Sequence, residues 1–122
     1  EETAMKYPWL DAYLLSLPHT PKDYKAEWEW TRYMVEGKLY AALCDDASGK
    51  PVLTLKLDPL EGEFLRGQYP DIAPGHYMNK RHWNSISLVG DVPDDLLREL
   101  CVKSHDLIIA SLPKKVRDAL NA

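Results

Sequence analysis

At 122 residues, with 45% hydrophobic and 28% charged composition, the chain suits one compact domain whose core needs no disulfide or metal, and leaves no room for a second. A net charge of −4 argues against a dedicated DNA binder, whose footprint is basic overall, although it leaves a local basic face open. No apolar run approaches the roughly 20 residues of a membrane span, and the opening EETAMKYPWL lacks a signal-peptide core, so a soluble, cytoplasmic protein is expected.

The segment YPWLDAYLLSLP repeats Leu10, Tyr13, Leu14 and Leu17 at helical spacing. Pro8 suits a first helical turn, Pro18 and Pro21 end the helix, and PHTPKDYK (18–25) reads as a loop. Strand-forming residues follow in EWEWTRYMVEGKLYAALCDD (27–46). In an extended chain Trp28, Trp30, Arg32 and Met34 share one face, and Thr31, Tyr33 and Val35 the other. Glu36-Gly37 is predicted to turn the chain tightly into the partner strand KLYAALC. After a second turn at DDASGK, PVLTLKLD alternates Leu53, Leu55 and Leu57 against Val52, Thr54 and Lys56, completing a three-stranded antiparallel meander.

DPLEGEFLRGQYP (58–70) opens a helix, with Asp58 as its cap, Pro59 in the first position and Glu61 completing a capping box. Leu60, Phe64 and Leu65 are expected on its apolar side. DIAPGHYMNKRHW reads as a loop and WNSISLVG (83–90) as a strand. The clearest helix is DVPDDLLRELCVKSHDLIIASLP (91–113), with Leu96, Leu97, Leu100, Cys101, Ser104, Leu107 and Ile108 in one stripe and a Glu99–Lys103 pair outside. KKVRDALNA adds a further turn or two of helix. The order α-β-β-β-α-β-α predicts a single two-layer α+β domain over residues 1–122, a mainly antiparallel sheet with helices on one face.

Charge is unevenly distributed. Residues 72–90 contain no Asp or Glu but hold His76, Lys80, Arg81 and His82; a second acid-free stretch, 107–117, carries Lys114, Lys115 and Arg117. In one reading of HYMNKRHWN, Lys80 and Arg81 neutralise phosphates while His76, Tyr77, His82 and Trp83 offer stacking faces or hydrogen bonds. In the other, Tyr77 and Trp83 pack the loop onto the sheet, Asn79 or Asn84 caps the turn, and the cations merely face water. Trp28, Trp30 and Arg32 form an alternative, partner-binding surface, against the commoner fate of such aromatics as core. His76 and His82 lack ligand spacing, and Cys44 and Cys101 sit in apolar patterns as buried thiols, so neither metal nor cofactor is expected. The consecutive letters Ser104-His105-Asp106 point about 100° apart on a helix and do not form a triad, and no enzyme is expected.

DPLEGEFLRGQYP, PGHYMNKRHWNSISLVGDVPDDLLREL and SHDLIIASLPKK together resemble the MmcQ/YjbR family of small bacterial proteins; the most specific piece is MNKRHWNSI with the Pro-Asp helix start and LPKK. The resemblance runs from the first helix through Lys115. It implies a bacterial cytoplasmic α+β protein, often likened to secretion chaperones and to the frataxin-like arrangement, and it implies DNA binding. His105 stands where the family usually has an aromatic; being off the apolar stripe, it is expected to alter only a surface contact. The resulting expectation is a monomeric, non-enzymatic module. It would bind DNA mainly through phosphates, by Lys80 and Arg81 with Lys114, Lys115 and Arg117 in support and His76 and His82 beside them. A protein-interaction adaptor is the alternative, and no membrane contact is expected.

Overall fold

The computed structural model describes residues 6–75 and 78–121. Its elements are α1 (Leu10–Ser16), β1 (Lys22–Lys25), β2 (Trp30–Val35), β3 (Lys38–Asp45), β4 (Pro51–Lys56), α2 (Pro59–Gln68), β5 (Ile72–Pro74), β6 (Trp83–Ser87), α3 (Asp94–Ser111) and α4 (Lys114–Leu120). The six strands pair antiparallel in the order β1-β2-β3-β4-β6-β5. The α+β class, the meander and the helices on one face follow the sequence pattern. Two short edge strands do not: β1 lies within the expected loop 18–25, and β5 within the expected loop before Trp83. Both recruit residues of weak β propensity because a neighbouring strand offers free backbone partners.

The period-2 alternation sorts the sheet into two faces. Tyr33, Val35, Ala41, Leu53, Leu55 and Ile86 join the helix-side core with Leu97, Leu100, Cys101 and Ile108 of α3. Trp30, Ala42, Cys44 and Val52 form a separate cluster on the other face. Tyr40 breaks the alternation. The β2–β3 register passes from Tyr33↔Ala41 to Met34↔Leu39, leaving Tyr40 as an extra residue, so Tyr40 and Ala41 both join the helix-side core. Beyond Ala41↔Leu55 the β3–β4 ladder stops. Ser104 of α3 fills the gap: its Oγ donates to the Tyr40 carbonyl (2.6 Å) and accepts from the Lys56 N–H (2.9 Å). A residue placed by periodicity in an apolar stripe thus completes the hydrogen bonding that the bulge interrupts.

Buried phenols fasten α1 to the sheet. Tyr40 Oη donates to the Leu14 carbonyl (2.7 Å), and Tyr33 Oη to the Asp11 carboxylate (2.6 Å). Burial, with the Asp11 contact adding to it, pushes the Tyr33 phenol far above its ordinary range; burial pushes Tyr40 up to about 12. His105 is the clearest departure from the sequence reading. It is buried, its Nε2 bonds the Pro18 carbonyl at 2.7 Å, and its ring meets Tyr40 edge-on at 5.0 Å. Periodicity assigns it to the outside because that test considers only the sheet, whereas the 18–20 segment wraps the flank of α3 and covers it.

The caps show the same contrast. Asp58 accepts from the N–H groups of Leu60 (3.1 Å) and Glu61 (3.4 Å), as expected of an N-cap. Glu61 does not complete the box; its carboxylate pairs with Lys103, which also holds Glu99. On α2 only Gly62 and Leu65 are buried, while Leu60 (75% exposed) and Phe64 (64%) face outward. The helix sits with Gly62 against the buried Asn84 amide, which accepts from Arg66, and this rotates the expected apolar pair away from the core.

Candidate nucleic-acid interface

The segment before β6 is a closed, self-bonded loop. Asn79 Oδ1 accepts from the N–H groups of Arg81 (2.9 Å) and His82 (3.2 Å), and Trp83 N–H returns to the Asn79 carbonyl (2.9 Å). Gly75 N–H donates to the Trp83 carbonyl (2.8 Å) and Leu57 N–H to that of His82 (2.8 Å), which fastens the loop base to β4. A Cβ on Gly75 would lie 3.0 Å from Trp83 Cβ, so any other residue here would require the loop base to give by a few tenths of an ångström. Met78 packs against the Trp30 cluster on the helix-free face, and Trp83 is half-buried. Of the packed-loop reading, the Asn79 cap is present, and Met78 is a contact that the sequence reading did not assign. His76 and Tyr77 lie outside the described residues.

The expected cations divide by what holds them. Arg81 is exposed, with no side-chain hydrogen bond or ion pair among the described residues. Lys80 is exposed, but its Nζ donates to the Gly75 carbonyl (3.0 Å) and so also closes the loop. His82 is half-buried. On α4, Lys115 is exposed and Lys114 is paired with Asp118 at 2.8 Å. Arg117 is half-buried, with its Nε enclosed and without a hydrogen-bond partner among the described residues. It lies beside Val116 on a short helix whose Val116 and Leu120 pack on the core.

The sheet determines how these segments stand to one another. Ala41, Leu55 and Asn84 are aligned across β3, β4 and β6. The β2–β3 turn, the end of β4 and the loop before β6 therefore lie at one end of the sheet. The C-terminal turn of α3 reaches the same end, where Lys38 Nζ meets Ser111 Oγ at 3.4 Å, and α4 begins immediately after. Lys38 was missed by the sequence reading, because nothing local connects the turn at 36–37 with the basic stretches far along the chain. The two basic segments share an end but not a face. The loop packs on the helix-free side and α4 on the helix side, with β3 and β6 about 10 Å apart between them.

Several acids stand at the opposite end: Glu27 and Glu29 precede β2, Asp45 ends β3 and Asp46 follows it, Asp71 precedes β5, and Asp91 precedes α3. There Trp28 (54% exposed) meets Trp30 edge-on at 5.2 Å, beside a cleft of about 440 Å³ lined by Trp28, Glu29, Trp30, Asp45 and Asp46. Arg32, expected with the two tryptophans to face a partner, is held bidentate by Asp23 at 2.8 and 2.7 Å. That bond holds the Asp23 carboxyl below its usual range and the Arg32 guanidinium above its own. Among the described residues no group of three or more His, Cys, Asp or Glu could hold a metal ion, and no helix is long and apolar enough to cross a membrane. Ser104 and His105 are both committed to backbone carbonyls, as above, and Asp106 stands exposed, 4.0 Å from His105 Nδ1.

This is a small α+β protein with a helix-covered antiparallel sheet and a self-bonded basic loop. The YjbR family model matches residues 15–107, and the chain belongs to that family. It is 30% identical over 108 residues to the uncharacterized protein YjbR of Escherichia coli K12, an alignment covering 88% of this chain and 91% of the relative. It is 33% identical over 87 residues to the uncharacterized protein YbdF of Escherichia coli O157:H7, covering 71% of this chain and 70% of the relative. Among solved structures, a Deinococcus radiodurans protein with the family-model domain DUF419 superposes with a TM-score of 0.82 at 33% identity, covering 92% of this chain and 85% of its own. A Pseudomonas syringae protein superposes with a TM-score of 0.71 at 25% identity, covering 82% and 96%.

Proposed function

We propose that this protein is a cytoplasmic, non-enzymatic nucleic-acid-binding module that holds DNA through phosphates with little sequence selectivity. The observation that supports this reading is the convergence of four exposed cations on one end of the sheet, where Glu36 and Asp58 are also exposed. Lys38, Lys80, Arg81 and Lys115 share the end of the sheet opposite Glu29, Asp45, Asp46 and Asp71. A net charge of −4 therefore does not describe the surface that phosphates would meet. Because the cations straddle the sheet end, the ligand wraps that end, with Arg81 on one side and Lys115 on the other. The test is fluorescence anisotropy with a short labelled duplex at about 50 and about 200 mM salt. Lys80→Ala with Arg81→Ala should weaken binding to all duplexes by similar factors and lower the salt slope by about two units. Absence of wild-type binding at about 50 mM salt, or equal binding by the double variant, refutes the reading.

A second reading, a protein-interaction adaptor, is favoured by the exposed indole of Trp28 beside its cleft at the acidic end.

A further inference from the structure

We propose that the Trp28–Trp30 cleft is a docking site for an arginine-bearing peptide segment of a protein partner. This rests on the adaptor reading, to which it gives a partner chemistry, and it is independent of the nucleic-acid reading.

Three observations carry it. First, the cleft has the size of a ligand site, at about 440 Å³, and combines indole walls with a carboxylate rim. Aromatic faces and carboxylates together are complementary to an organic cation and to little else. Second, the rim charge is unspent. Elsewhere Asp11 holds Lys22, Asp23 holds Arg32, Glu61 holds Lys103 and Asp118 holds Lys114. At the cleft, the carboxylates of Glu29 and Asp45 have no hydrogen bond or ion pair among the described residues. Asp46 accepts from Ser48 Oγ and from the N–H groups of Ser48 and Lys50, so it is fixed in place and its carboxyl held below the usual range. Third, Trp28 already takes cations. Lys25 Nζ lies 5.1 Å from its ring centroid and the Arg32 guanidinium 6.0 Å. Arg32 is neutralised by Asp23 in a bidentate pair and cannot leave cheaply, whereas Lys25 feels Asp23 only at a distance and forms no ion pair within 4.0 Å among the described residues. An incoming guanidinium, planar and more weakly hydrated than an ammonium, can displace it from the ring.

The shape selects a peptide over a single metabolite. A second cleft of about 270 Å³ adjoins the first and shares Glu29 and Asp45 with it. It continues round the end of β3 to the helix side, where Tyr7, Leu10 and Leu43 line it. The shared carboxylates sit at the junction, so an extended segment lays one guanidinium between them and Trp28 and an apolar neighbour against Leu43.

The test is a titration of the full chain, observed by NMR at the tryptophan indole N–H signals, with a short oligo-arginine peptide carrying leucines. Oligo-glutamate of equal length and free argininamide are the comparisons. The expected result is movement of the Trp28 and Trp30 signals ahead of Trp9 and Trp83, with oligo-glutamate inert and argininamide much weaker. Trp28→Ala should weaken peptide binding about fivefold, the loss of one exposed cation–π contact. Glu29→Gln with Asp45→Asn should weaken it more and flatten its salt dependence, with an unchanged thermal midpoint showing that the fold is intact. Lys80→Ala with Arg81→Ala should leave it unaltered, which separates this site from DNA binding. The proposal is overturned if the tryptophan signals do not respond, or if the carboxylate variant binds as the wild type does. It is also overturned if argininamide binds as tightly as the peptide, or if concentration-dependent self-association through this cleft, rather than added peptide, moves the signals.

Discussion

Replacing Ser104 with alanine should cost far more than the loss of one hydroxyl suggests. The hydroxyl is fully buried and bridges two main-chain groups that have no ladder partner, the carbonyl of the bulged Tyr40 and the N–H of Lys56. Removing it strands both in a site covered by α3. Leaving a buried donor or acceptor unsatisfied costs about 1–3 kcal/mol per group, so the pair predicts a loss of about 2–5 kcal/mol after partial relaxation. Only one oxygen atom is removed, so a cavity contributes little. With a urea m-value of about 1–3 kcal/mol/M, the unfolding midpoint should fall by at least about 0.7 M with the slope unchanged. Ser104→Thr separates geometry from chemistry: it keeps the hydroxyl but adds a methyl against the sheet, and should lose less than alanine. A Ser104→Ala midpoint within about 0.3 M of wild type refutes the bridging role and means that the bulge is satisfied in some other way.

Gly90→Ala should destabilise by about 1–3 kcal/mol in the same assay, because a Cβ there would stand 2.1 Å from Asp71 Cγ and dislodge the carboxylate that accepts from Asp91 N–H. Asp58→Ala should cost about 1 kcal/mol through loss of the α2 cap, read as a lower urea midpoint. Asp11 is held below the usual carboxyl range, first by the Tyr33 hydroxyl and then by Lys22, so its contribution is present above about pH 4 and lost as pH falls through its folded value; wild type and Asp11→Asn should differ in urea midpoint at neutral pH and converge in acid. Cys101, pushed up to about 12 by burial, should resist a thiol reagent at about pH 8 in the native protein and react once urea unfolds it.

How much the sequence discloses depends on how far apart the deciding contacts lie. The meander was legible because it is local: Gly37 at φ 78 and Glu36 at φ 49 make the tight turn, and the alternation of β4 records which face each side chain takes. The buried stripe of α3 was legible for the same reason. What was not legible comes from distant segments. His105 is buried by Pro18 and Tyr40, contacts that no window around it contains. Leu60 and Phe64 face outward because Gly62 and Asn84 fix the rotation of α2. At the candidate interface, the basic residues of the loop and of α4 could be listed from the sequence, but their sharing an end required the strand register. Lys38 joins them through the same register and through Ser111, and the enclosure of Arg117 Nε could not be read from its own window.

The two strands that the sequence hid have a consequence for how the protein behaves in a crowded solution. A sheet ends in rows of unpaired amides and carbonyls, which invite another chain to extend it. Here the outermost strands are β1 and β5. β1 is only four residues, Lys22–Lys25, and displays two lysines and an aspartate. β5 is shorter still and ends in Pro74, which has no N–H to donate. A chain approaching either border finds too few amides for a stable ladder, and charge or a missing donor where the ladder would continue. The central strands β3 and β4, whose Leu and Val content would make them adhesive if bared, are thereby kept two places away from either edge.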